Sequence, residues 1–354
     1  MYGYRVIGST LLWIGSVCMA HAASVPSSNL SAPANDPVVD HWAQQVGQTM
    51  QARLRSMAAS GDPRQLYLAG LLWADSEHDD TAPAAEGGYA PIQRVWLQRA
   101  LDARPRDPMV ARMEAAGCAP GLRCDPDAAL AFLEQADAGN ADVHLRAYAA
   151  AMRRSDQPGA ERAWQAAVQA DHFDSGALEL GKALHATYDG VQWPSLTSVS
   201  LRSQLDAQGL PSTGAGMAAM FVMGAWSAHA LPALGDVVRR CTSNVATPAL
   251  RDECMAVFNS VANDESTMLT AMVGAKRMAA LSSGADATRW QARLRELEWL
   301  QQQYQRPAPT ATDQAIDLDA LLTQGEVPAL RALVQRQGLA PQPPAQWQPS
   351  AAVQ

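Results

Sequence analysis

The sequence predicts an all-α protein of stacked helical hairpins, an α-solenoid-like arrangement that is followed by a second helical region. Two observations predict this class: apolar residues recur at helical spacing along most of the chain, and Asp-Pro pairs mark repeated helix starts. No stretch shows the sustained polar–apolar alternation with β-branched enrichment that is typical of strands. Closely spaced cysteines add two disulfides to the prediction.

The first 22 residues have the layout of a cleaved secretory signal peptide. Arg5 is the single charge before an apolar core over 6–19. The sequence Ala20-His21-Ala22 then places small residues at the −3 and −1 positions of a cleavage site. The core has about 14 residues, fewer than the roughly 20 that a transmembrane helix needs. We therefore expect a periplasmic or secreted mature chain, which begins with a flexible Pro/Ser/Ala leader over 23–36.

Cleavage would remove one cysteine, Cys18, and leave an even number in the mature chain: Cys118, Cys124, Cys241 and Cys254. In an oxidising compartment these four are expected to form disulfides. Three connectivities are possible, and sequence proximity favours Cys118–Cys124 and Cys241–Cys254. The alternative is a zinc site, but the chain has no C-x-x-C pair or nearby histidine pair to support one.

Charge and hydropathy limit the partners. A net charge of −8 argues against nucleic acid, whose phosphates need a basic surface. The stretch 207–235 contains no Asp, Glu, Lys or Arg, but it is rich in Gly, Ala, Ser and Thr and is interrupted by Pro211 and Pro232. Such a composition gains little from membrane insertion. It predicts a buried helix and no membrane span in the mature chain.

Helix starts are the clearest local signals. An aspartate followed by proline caps the free N–H groups of a first turn and places at N1 a residue that has no N–H to lose. Four such pairs occur: Asp36-Pro37, Asp62-Pro63, Asp107-Pro108 and Asp125-Pro126. Glycine or asparagine closes several of these segments, at Gly61, Gly117 and Gly139-Asn140.

The helices also repeat. Trp96, Phe132 and Trp164 each precede a small apolar residue by four positions, and their separations of 36 and 32 residues are close to the period of a two-helix unit. On these residues, and on the stretch 163–181, the chain resembles a tetratricopeptide-like helical-repeat protein over 37–189. The resemblance implies a superhelix whose concave face binds a peptide or another protein.

Beyond the repeats, composition divides the rest of the chain. Residues 190–216 are predicted to form an irregular connector, and residues 217–305 are predicted to form a C-terminal helical region. In the tail, 306–354, helices are predicted near 316–323 and 327–337, joined at Gly325. The Pro- and Gln-rich end, 338–354, predicts disorder.

Motifs for catalysis are missing: the chain has no G-x-S-x-G, no H-E-x-x-H and no phosphate-binding glycine loop, so no catalytic residue and no cofactor is assigned. The leading hypothesis is a non-catalytic exported protein that binds a protein or peptide. One alternative is an enzyme of the cell envelope with a site near 190–230. Another is a copper site formed by the soft thioethers of Met217, Met220 and Met223.

The remaining potential ligands favour ordinary structural roles. The acidic run Asp75–Asp80, which includes His78, has ligands for a hard cation, but its spacing matches no EF-hand and it is typical of a solvated loop. Isolated histidines are expected at caps or on the surface: His41, His144, His172 and His185.

Overall fold

The computed structural model describes residues 36–73, 89–208, 210–228, 234–242, 247–306 and 316–349. The predicted signal peptide, nearly all of the leader and the acidic run Asp75–Asp80 lie outside these ranges. The described residues form sixteen α-helices and no strand. Their bounds are α1 Pro37–Ala59, α2 Pro63–Leu72, α3 Pro91–Asp102, α4 Pro108–Ala116, α5 Pro126–Ala136, α6 Ala141–Arg153, α7 Gln157–Gln169, α8 Ala177–Tyr188, α9 Val199–Ala207, α10 Gly214–Ser227, α11 Leu234–Arg240, α12 Pro248–Ala262, α13 Met268–Leu281, α14 Gly284–Gln305, α15 Leu318–Gln324 and α16 Glu326–Arg336.

The all-α prediction is confirmed, and so are the four predicted helix starts. In α1, α2, α4 and α5 the aspartate lies at N-cap and its carboxylate accepts a hydrogen bond from an N–H of the first turn, with proline following at the start of the helix. None of the described helices is both long and apolar enough to cross a membrane.

Neighbouring helices pack as hairpins, α2 with α3, α4 with α5 and α6 with α7. The three repeated aromatics, Trp96, Phe132 and Trp164, lie on the second helix of each hairpin. Their burial differs: Trp164 is completely buried, Trp96 nearly so, and Phe132 is half-buried. The period thus marks an equivalent position in three hairpins, although the environment of that position changes.

Distant helices also pack together. One apolar cluster joins α5–α7 with α11–α14 and α16, and a second joins α1–α4 with α8, α10 and α15. In a solenoid each repeat contacts only its neighbours. Because α15 packs against α8 more than 120 residues earlier in the chain, the solenoid-like stacking in the prediction is not confirmed. Periodicity identifies the buried face of a helix but does not identify the helix that covers it.

Gly181 permits the close approach of α8 and α15. A Cβ at this position would overlap the backbone carbonyl of Leu322. We expect Gly181→Ala to lower the free energy of unfolding by about 1–3 kcal/mol, because neither backbone can move freely.

The matched control for this prediction is Gly224→Ala in α10, where an added Cβ meets nothing within 4 Å. This change should raise the free energy of unfolding by about 0.5–1 kcal/mol, since alanine loses less backbone entropy than glycine. Urea denaturation of both variants is the measurement. Equal effects at the two glycines would contradict the described contact between α8 and α15.

The predicted connector, 190–216, is more ordered than its composition indicates. It contains α9, and its first part packs on α1, where the indole nitrogen of Trp42 donates to the carbonyl of Pro194 at 2.9 Å. Leu196 is 2% exposed in a small cluster with Trp42 and Val46. The two prolines, Pro194 and Pro211, and the Ser/Thr-rich run disfavour a long helix here but do not exclude packing.

The helices predicted near 316–323 and 327–337 are present as α15 and α16, with Gly325 between them at φ +101°. Disorder is predicted for the following segment, 338–349, but the structure packs Trp347 of this segment against α14. The indole nitrogen of Trp347 donates to Gln302 at 2.7 Å, and its ring lies 5.5 Å from that of Trp299. The contacts of this one tryptophan hold the segment against α14 despite its polar composition.

Candidate functional site

The charge-free helix α10 differs most from its prediction. The sequence predicts a buried helix, but α10 buries only one side, where Ala218, Val222 and Trp226 join the second apolar cluster. The other side exposes 51% of Met220 and 42% of Phe221. Most other residues of α10 are small and uncharged, and this composition is why the sequence predicts burial. The side of the helix that carries Met220 and Phe221 is nevertheless exposed.

Three contacts fix the orientation of α10. The indole nitrogen of Trp226 donates to the carbonyl of Ala177 in α8 at 3.0 Å, and the Thr213 hydroxyl caps the N–H of Gly216 at 3.1 Å. At the start of the helix, Gly214 lies against the Trp193 side chain. The exposed side therefore belongs to a helix that the fold holds firmly.

We call Met220, Phe221, Gly224 and Ser227 the α10 face; these four residues are exposed, and each lies within about one helical turn of the next. Among the described helices, α10 alone contains no Asp, Glu, Lys or Arg. Large apolar side chains on an uncharged helix form a surface whose burial against another apolar surface lowers the free energy. The α10 face is the strongest candidate for a binding surface.

The methionines predicted as copper ligands do not converge. Met217 packs with the small cluster of α1 and α9, Met223 packs with the second apolar cluster, and Met220 is exposed. His229, which follows these methionines in the sequence, lies outside the described residues. Nothing in the described chain brings three or more His, Cys, Asp or Glu side chains together as a metal site.

A surface cavity of about 580 Å³ lies between the start of α2, the end of α3 and the start of α4, and none of its lining residues falls within 190–230. Arg99 and Arg104 line it, together with the capping residues Asp62 and Asp107. Its described lining contains no Ser, Thr, Cys, His, Lys or Tyr. Two of the carboxylates in this lining, Asp62 and Asp107, already accept hydrogen bonds as helix caps.

An ion-pair network borders this cavity through Asp107. Arg64 donates to Asp107 at 3.1 Å and to Glu179 at 2.6 Å, while Arg112 donates to Glu179 and to Asp137, both at 2.8 Å. The network links α2, α4 and α8 with the C-cap of α5. Each of these carboxylates has a cationic partner, which indicates a structural role.

The histidines lie in separate environments, and the prediction of a cap or surface position is wrong for His144, which is buried. His144 is buried and lies 2.7 Å from the carbonyl of Ala138, His185 lies 3.4 Å from Asp319, and His172 lies 3.5 Å from Asp137. The structure does not bring them together into one site.

Both predicted cysteine pairs lie within disulfide-bonding distance, with Cα–Cα separations of 5.8 Å for Cys118 and Cys124 and 5.7 Å for Cys241 and Cys254. The pairs differ in accessibility, since Cys241 and Cys254 are completely buried whereas Cys118 is exposed.

Comparisons with known proteins give no family: no family model, no curated protein and no solved structure matches this chain.

Proposed function

We propose that this protein is an exported, non-catalytic helical scaffold that binds a partner protein through the α10 face. The observation that carries the proposal is the exposure of Met220 and Phe221 on a helix without charged residues. Such a surface offers water no charged groups to solvate. A partner therefore gains binding free energy chiefly by removing the apolar side chains from water.

The partner that suits this face is an amphipathic helix. No atom lies within 4 Å of a Cβ added at Gly224, so a large side chain of the partner can occupy the space beside Phe221. Met220 is unbranched and adjusts to differently shaped neighbours. An amphipathic helix supplies apolar side chains at the matching i, i+3 and i+4 spacing.

Two further features support the rest of the proposal. The cysteine pairs at bonding distance are compatible with an oxidising compartment, as the proposed periplasmic or secreted location requires. The recurrence of Trp96, Phe132 and Trp164 on the second helix of three hairpins supports the proposed architectural resemblance to tetratricopeptide-like repeats over 37–189.

Site-specific photo-crosslinking tests the proposed interface. A photoreactive phenylalanine analogue at position 221 should yield one predominant adduct with another protein in the organism that encodes this chain. The same analogue at Val95, which is 54% exposed on the charged helix α3, should yield little or none.

A variant completes the test. Met220→Asp should reduce the adduct at position 221 by about tenfold, because it places an unpaired charge at the centre of a desolvated contact. Its far-ultraviolet circular dichroism should match that of the unmodified protein, since the side chain is half exposed. Equal labelling at 221 and 95, or adducts formed only between two copies of this chain, would overturn the proposal.

A further inference from the structure

The two cysteine pairs occupy opposite environments. Cys241 and Cys254 lie in the first apolar cluster at 0% exposure, in contact with a continuous core. Cys118 and Cys124 lie in the loop between α4 and α5, where Cys118 is exposed and Cys124 is half-buried. A thiolate can reach a sulfur only if that sulfur is accessible.

The approach to Cys118 is open. At the preceding residue, Gly117, an added Cβ would meet no atom within 4 Å, and the following loop residues Pro120 and Gly121 are exposed. Both glycines have positive φ, +141° and +77°, which turns the chain around the cysteine pair. The loop therefore presents Cys118 at the surface, with open space beside the preceding residue.

The loop is held in place by contacts that do not involve sulfur. The side chain of Gln98 accepts from the N–H of Arg123 at 2.9 Å and donates to its carbonyl at 3.0 Å. The N–H of Asp125 donates to buried Glu114 at 2.8 Å, and Leu122 packs with the second apolar cluster. These contacts hold both ends of the loop whether or not the sulfurs are bonded.

We propose that Cys118–Cys124 is a thiol–disulfide exchange site for a protein dithiol, whereas Cys241–Cys254 is a structural bond that does not exchange in the folded protein. A thiolate of the dithiol attacks Sγ of Cys118, the Cys118–Cys124 bond breaks, and Cys124 leaves as a thiolate that takes up a proton. The second thiolate of the dithiol then attacks its own sulfur in the mixed disulfide and releases Cys118. The dithiol is oxidised by two electrons and the cysteine pair is reduced by two.

Small thiols test the accessibility. The oxidised, folded protein is incubated with dithiothreitol, the reaction is stopped with an alkylating reagent, and labelled cysteines are identified by mass spectrometry. Cys118 and Cys124 should become labelled about tenfold or more faster than Cys241 and Cys254, whose reduction requires local opening of the core. With glutathione, the mixed disulfide should form at Cys118. Equal rates for the two pairs, or glutathione on Cys124 alone, would overturn the proposal.

A trapping experiment tests the class of partner. A thioredoxin-class protein whose second active-site cysteine is replaced by serine cannot complete the exchange, so it should remain bonded to Cys118. The double variant Cys118→Ser/Cys124→Ser should form no adduct and should keep the circular dichroism spectrum of the unmodified protein. An adduct that persists in the double variant, or reaction with small thiols but none with the protein dithiol, would contradict the assignment.

Discussion

Replacing Arg146 with methionine is expected to lower the free energy of unfolding at pH 7 by about 3–5 kcal/mol. Its Nε donates to Asp142 Oδ2 at 2.7 Å, one turn earlier on α6, and the side chains are 6% and 0% exposed. Without the guanidinium, Asp142 stays in the core with no ion-pair partner among the described residues. Leaving one charge buried costs more than the pair itself contributes.

The loss should depend on pH in a defined direction. Burial raises the pKa of Asp142 above its ordinary value, and Arg146 opposes that rise. A raised folded-state pKa gives stability that is present below the unfolded-state pKa and is lost as pH rises through the folded-state pKa. The Arg146→Met variant should therefore regain stability relative to the unmodified protein as pH falls from 7 toward 4.5, measured by urea denaturation at each pH.

Two controls separate the buried pair from charge loss in general. Arg154→Met breaks an ion pair with Asp127 whose side chains are 51% and 72% exposed, and it should cost less than about 1 kcal/mol. The double variant Asp142→Asn/Arg146→Met removes both buried charges and should recover most of the loss. If Arg146→Met and Arg154→Met are equally stable, the described burial of the pair is wrong.

Local chemistry made the helices predictable. An Asp-Pro pair satisfies a first turn by itself, whatever packs on the helix later, so the starts of α1, α2, α4 and α5 follow from a few residues each. Gly325 likewise ends α15, because glycine readily adopts a positive φ that residues with a Cβ disfavour. The pairing of nearby cysteines is local in the same sense.

Exposure of the α10 face could not be predicted in this way. Burial of Met220 and Phe221 depends on which distant helices reach α10, and the sequence does not state those pairings. The lack of charge over 207–235 is a visible signal, but a buried helix and a binding surface share it. Gly181, an isolated glycine inside a helical pattern, is a comparable signal for the close contact of α8 with α15.

Trp164→Ala is expected to lower the free energy of unfolding by about 3–5 kcal/mol, because it removes the largest fully buried side chain of the protein's described part. The indole nitrogen donates to Glu253 of α12 at 2.7 Å, and the guanidinium of Arg240 lies 4.6 Å from the ring centroid. The Tyr148 ring of α6 lies 5.8 Å away. One side chain thus connects α7 to three other helices.

Phe132→Ala is the matched control, since Phe132 holds the equivalent position in the preceding hairpin but is only half-buried. It should cost about 1–2 kcal/mol, in proportion to the smaller apolar area that it hides from water. Trp164→Phe should give an intermediate loss, because it keeps most of the ring volume but leaves Glu253 without its indole donor. If repeat position alone governed stability, the two alanine variants would unfold at the same urea concentration. A clear excess for Trp164→Ala would instead show that the burial of the side chain, and not its place in the repeat, sets the loss of stability.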